Sequence, residues 1–105
     1  MRILLDNRVP ADLAPHIRGH ELATAVAMGW AALDDQALLD AMTGTFDILL
    51  TVDKSIPFQQ ALGGRAIAVI VLRARSNRVS DLARLVPALQ KILNRIAPCE
   101  VREVS

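Results

Sequence analysis

Two aspartates in matching settings are the first residues of this chain that could do chemistry. Asp6 closes the apolar run Ile3-Leu4-Leu5, and Asp53 closes the segment that begins at Asp47 and continues Ile48-Leu49-Leu50-Thr51-Val52. An apolar run that does not alternate fits a strand covered on both faces, as in a parallel α/β sheet. Such a strand delivers its last residue to the carboxyl edge of the sheet, where open α/β folds bind ligands. Clustered carboxylates there would bind a hard cation, Mg²⁺ or Mn²⁺, through oxygen. Two such ions roughly 4 Å apart can activate a water and stabilise the leaving oxygen in phosphodiester cleavage. Either Asp alone reads equally well as a helix cap or turn residue. The repetition of one design favours function.

Asp34 and Asp35 form a second candidate. One can cap a helix while its neighbour faces the sheet edge. Arg73, Arg75, Ser76, Asn77 and Arg78 follow the most apolar run of the chain, Ala66–Leu72, and should emerge on the same edge as the two acids. Arginines there could hold phosphates bidentately, and Ser76 and Asn77 could donate to a phosphate. Lys54, beside Asp53, is a further phosphate contact or an ion-pair partner. His16 and His20 lie four apart, but Gly19 intervenes and no third ligand is near, which argues against zinc. Trp30, after Gly29, reads as a loop anchor and Cys99 as a small buried residue. No P-loop, dinucleotide glycine fingerprint or Gly-x-Ser-x-Gly occurs.

The elements that must position these groups are legible in outline. Pro10 suits the first turn of a short helix ended by Gly19, with Leu13 and Ile17 on one side. His20–Val26 reads as a weaker strand, and Met28–Ala32 as a loop turning at Gly29. Gln36–Met42 reads as a helix with Leu38, Leu39 and Met42 inward. A third strand runs over Asp47–Val52, a short helix starts near Pro57, and Ala66–Leu72 is an interior strand. Ser80 is expected to cap a long helix with Leu82, Leu85, Val86, Leu89, Leu93 and Ile96 on one stripe, kinked or broken at Pro87 and closed by Pro98. Glu100–Val104 is charged enough for an edge strand. Strands alternating with helices predict an α/β fold, three-layered, with a mainly parallel sheet of about five strands.

At 105 residues, the chain suits a single domain over 1–105. Its 52% apolar content supports a packed core, and its 3% aromatics make that core Leu, Ile, Val and Ala. No apolar run approaches the roughly 18 residues of a membrane helix. Asp6 interrupts the N-terminal apolar run too early for a signal peptide. The lone cysteine permits no internal disulfide, and a cytoplasmic location is expected. Residues 1–60 carry four Lys/Arg against eight Asp/Glu, whereas residues 61–105 carry eight against three. That asymmetry would suit a metal site beside an anion-binding surface.

Several segments together resemble a known family. Arg2-Ile-Leu-Leu-Asp-Asn7, Gly19-His20-Glu21, Gly29-Trp30, Leu33-Asp-Asp35, Leu38-Leu39, Thr51-Val-Asp-Lys54 and Leu72-Arg-Ala-Arg-Ser-Asn77 stand in the order found in small PIN-like proteins. That bacterial group is placed in the PIN nuclease superfamily and often regarded as VapC-like toxin components. The resemblance covers essentially the whole chain. It implies a Mg²⁺- or Mn²⁺-dependent endoribonuclease, the toxin of a toxin–antitoxin pair, with Asp6, Asp35 and Asp53 as metal ligands and catalytic acids. Lys54, Arg73, Arg75, Ser76 and Asn77 would contact RNA. A small antitoxin protein would be its partner, and a homodimer is compatible. Asn7 departs from the Glu common in this group, and Arg73, Arg75 and Asn77 stand where the superfamily generally has another acid. Fewer carboxylates imply weaker metal binding, with one ion rather than two. The alternative is a catalytically silent PIN-like module that binds RNA or protein. A phosphoacceptor receiver is a third reading, with acids after strands one and three, but it needs a Lys after strand five.

Overall fold

Five short apolar runs become five parallel strands. In the computed structural model, which describes residues 1–105, these are β1 (Arg2–Leu5), β2 (Glu21–Thr24), β3 (Ile48–Thr51), β4 (Ala68–Leu72) and β5 (Val101–Val104). They form one sheet in the order β2-β1-β3-β4-β5, with every neighbouring pair parallel. The helices are α1 (Asp35–Met42), α2 (Phe58–Ala61), α3 (Val79–Ala83) and α4 (Val86–Leu93), with a 3-10 helix over Ala11–His16.

The interior strands alternate between two apolar layers, because successive side chains leave opposite faces. Ile3, Leu5, Ile48, Leu50, Ile70 and Leu72 pack with Leu13, Leu82, Leu89 and Leu93, from the 3-10 helix, α3 and α4. Leu4, Leu49, Val69 and Val71 pack with Leu38, Leu39, Met42, Phe58 and Leu62, from α1 and the α2 segment. The expected three-layer α/β arrangement is therefore present. β3, at the centre, is buried throughout. The edge strands β2 and β5 are only partly covered.

Boundaries differ from expectation in instructive places. β2 is shorter than His20–Val26, because Ala25 already donates to Leu5 O from a turn that Gly29 completes at φ 78. α1 starts at Asp35, one residue early, since the Asp34 carboxylate accepts the Ala37 N–H at 2.8 Å. The long helix is two helices. The chain breaks at Arg84–Leu85, and Pro87 sits in the first turn of α4, where no N–H is required. Ser80 does not cap α3. Ser76 Oγ instead accepts the Arg78 N–H and donates to Asp81. α4 ends at Leu93, before Pro98, and Cys99 turns the chain into β5 at φ 70.

The stripe on α3 and α4 is uneven. Leu82, Leu89 and Leu93 are fully buried, whereas Leu85, Val86 and Ile96 only border the core. Leu89→Ala is expected to cost about 2–5 kcal/mol. Leu85→Ala should cost clearly less, the two being compared by urea denaturation.

Candidate functional site

The sheet order reverses direction between β1 and β3. β2 lies on one side of β1, and the chain then crosses to place β3, β4 and β5 on the other. In open α/β sheets this switch point leaves a crevice at the carboxyl edge. Asp6 follows β1 there, and Asp53 follows β3 by two residues.

Thr51 joins the two. It is the single polar side chain among the 27 buried residues. Its hydroxyl donates to Asp6 Oδ2 at 2.9 Å and accepts the Asp53 N–H at 3.2 Å. The Asp6 N–H continues the β1–β3 ladder to Leu50 O, and Asp6 Oδ1 accepts the Asn7 N–H at 2.7 Å. Asp53 Oδ1 receives both the N–H and the hydroxyl of Ser55, at 2.9 and 2.6 Å. Its Oδ2 faces Arg8 at 3.4 Å. Those Ser55 hydrogen bonds, aided by Arg8, hold the Asp53 carboxyl below its ordinary range.

Asp35 reaches the same edge from the first turn of α1. Burial first, then the charges of Asp53, Asp6 and Asp34, hold its carboxyl above the ordinary range, while Arg8 opposes them. Asp6 and Asp53 are thus joined through Thr51, and Asp35 lies within the reach of their charge. A groove of about 380 Å³ opens beside Asp35, lined also by Asp34, Gln36, Ile56, Pro57 and Gln60.

No group of three or more His, Cys, Asp or Glu side chains is set as a ready metal cage. The donor chemistry nevertheless fits a hard cation, because all three groups are carboxylates and Mg²⁺ is commonly held by one or two of these with several waters. Asp6 and Asp53 would be the fixed donors, with Asp35 from the facing helix.

The predicted phosphate contacts are less concentrated. Arg73, directly after β4, pairs with Glu103 at 3.0 Å. Arg73 and Arg75 line a hollow of about 290 Å³ with Asp81 and Arg84. Ser76 is occupied by Asp81 and the Arg78 N–H. Lys54 and Asn77 are exposed, and Lys54 enters none of the chain's ion pairs.

Sequence reasoning missed Arg8, Thr51, Ser55 and the task of Asn7. Asn7 Nδ2 donates to Ala31 O at 3.1 Å and ties the 26–33 loop to the site. Asp53 followed two residues later by Ser55 is a local turn signal that could have been read. Nothing local links Arg8 to a residue 45 positions away. Trp30 is the anticipated loop anchor, meeting Phe46 edge-on at 6.0 Å. His20 lies 3.3 Å from the N-terminal amine rather than beside other ligands.

The strand order is the one shared by flavodoxin-like and receiver folds. Comparisons with protein-family models, with characterised proteins and with solved structures found no match for this chain.

Two outcomes follow from this geometry. In a carboxyl NMR titration, Asp53 should titrate below and Asp35 above the ordinary value of about 3.9, and Asp53→Asn should lower the Asp35 pKa by removing a neighbouring negative charge. The stability held in Asp53 is then present above the ordinary value and lost as pH falls through the lower, folded one. Thr51→Val keeps the shape but leaves the Asp53 N–H unpaired. It should cost about 1–3 kcal/mol in thermal or urea unfolding.

Proposed function

We propose that this chain is a PIN-like, divalent-cation-dependent endoribonuclease acting as the toxin of a toxin–antitoxin pair. One observation carries the reading. Asp6 and Asp53 stand at the switch point of a parallel sheet, linked through the Thr51 hydroxyl, with Asp35 within reach of their charge. Carboxylates gathered at one edge, with Arg8 as their one cationic neighbour, favour a hard cation. The resemblance in the Asp-Lys and Arg-Ala-Arg-Ser-Asn segments supplies RNA as the substrate and a small antitoxin protein as the partner.

In this reading Asp6 and Asp53 hold Mg²⁺ or Mn²⁺, each fixed by its hydrogen bonds to Thr51 or Ser55. A divalent cation held there would supply a nucleophilic water at neutral pH and stabilise charge on the leaving oxygen. Asp35, from the first turn of α1, would complete the carboxylate set that holds the cation. Lys54, Arg73 and Arg75 orient the RNA backbone by its phosphates. Arg8 balances the site before the cation enters.

A second reading is the silent PIN-like module, which binds RNA or protein and uses its acids structurally. Arg8 against Asp53, and the Asn7 amide turned to a backbone carbonyl, favour it.

The test is calorimetric Mn²⁺ binding to wild type, Asp6→Asn and Asp53→Asn, with cleavage of a mixed RNA pool on the same samples. Wild type should bind and cleave. Each substitution should lower cleavage by about 100-fold or more. Cleavage unchanged in both variants would overturn the mechanism. RNA binding without any Mn²⁺ binding at millimolar concentrations would establish the silent module.

A further inference from the structure

The eight Lys and Arg residues of the basic half do not share one fate. Arg65 pairs with Asp40, Arg73 with Glu103 and Arg102 with Glu100. Arg75, Arg78, Arg84, Lys91 and Arg95 enter no ion pair. Lys91 lies in the last turn of α4, and Arg95 lies in the turn just beyond its Asn94 C-cap. Leu89 and Leu93 of the same helix are buried in the core. From β5, Arg102 reaches the same place. A hollow of about 330 Å³ results, lined by Lys91, Ile92, Asn94, Arg95 and Arg102.

Helix electrostatics explain this only in part. A cation in the last turn is favoured by the helix dipole. That does not require a third cation from a neighbouring strand. Lys91 and Arg95 have no acidic partner, and Glu100, bonded to Arg102 at 3.1 Å, answers only one of the three charges. A concave surface with excess positive charge concentrates anions. Guanidinium forks and an ammonium are the usual partners of phosphate, and the Asn94 amide adds a neutral donor.

The topology separates this hollow from the carboxylates. The chain leaves α4, turns at Cys99 and enters the beginning of β5. The hollow therefore lies toward the amino edge of the sheet, whereas Asp6 and Asp53 lie at the carboxyl edge.

We propose that the hollow between the last turn of α4 and β5 is a phosphate-binding site, lined by Lys91, Asn94, Arg95 and Arg102. The phosphate belongs either to a polynucleotide backbone or to a small phosphorylated molecule. The site does not depend on the nuclease reading.

The test uses the full chain in EDTA, so that cation-dependent cleavage plays no part. Pyrophosphate binding is measured by calorimetry, and binding of a labelled single-stranded RNA oligonucleotide by fluorescence anisotropy. Lys91→Gln and Arg95→Gln should each weaken binding about tenfold. Arg18→Gln is the matched control, since Arg18 meets α4 only through its backbone at Gln90 and its exposed side chain does not line the hollow, so it should change binding less than about twofold. Circular dichroism confirms that the variants fold. Weakening with the oligonucleotide alone assigns the site to a polynucleotide backbone. Weakening with pyrophosphate assigns it to a small phosphorylated ligand. If neither probe binds wild type, or if Arg18→Gln weakens binding as much as the other two, the site does not exist.

Discussion

A parallel sheet must be covered on both faces, and that constraint governs everything else in this chain. Each interior strand is four or five residues long and buried along its length, save for Arg2 at the start of β1. Alternate side chains feed two separate apolar layers. Strands so buried can carry polar groups only at their ends, because an unpaired polar atom inside costs several times what a made hydrogen bond returns. The chemistry is thereby confined to the sheet's edges. Since every strand runs the same way, Asp6 and Asp53 must share one edge once β1 and β3 pair.

Thr51 is the exception that makes the edge specific. It is polar and wholly buried, yet both capacities of its hydroxyl are used, one on the Asp6 carboxylate and one on the Asp53 backbone. The two acid-bearing strands are thus joined by a side chain as well as by the ladder. No buried side-chain polar atom lacks a partner. The edge is also electrostatically divided. Ser55 and Arg8 stabilise the charge on Asp53. Asp35 instead meets the field of its neighbours and resists ionising. Two carboxyls with opposed shifts at one edge are the pattern from which acid–base roles arise.

Much of this architecture was legible beforehand. The apolar runs ending in Asp6 and Asp53, the Asp34 cap, the inward Leu38-Leu39-Met42 face and the interruption near Pro87 all come from local preference. What local preference missed was where a helix begins. Ser80 has the chemistry of a cap, but α3 begins at Val79 and Ser80 lies inside its first turn, while Ser76 accepts the Arg78 N–H and donates to Asp81 in the loop before it. The break expected at Pro87 falls at Arg84–Leu85, so that Pro87 lies in the first turn of a new helix.

The sequence by itself determined which segments would be strands or helices and which face of each would be buried, because those depend on periodicity and backbone preference within a few residues. It also determined that carboxylates would stand at strand ends. Only the tertiary structure decided the strand order, and with it that β1 and β3 would be neighbours. Only it decided that Arg8 would face Asp53 across 45 positions, that Asn7 would hold Ala31, and that Arg102 would join Lys91 and Arg95 in one hollow. These are meetings of side chains from different elements. Their geometry depends on how two apolar layers pack against one sheet, and no local pattern encodes it.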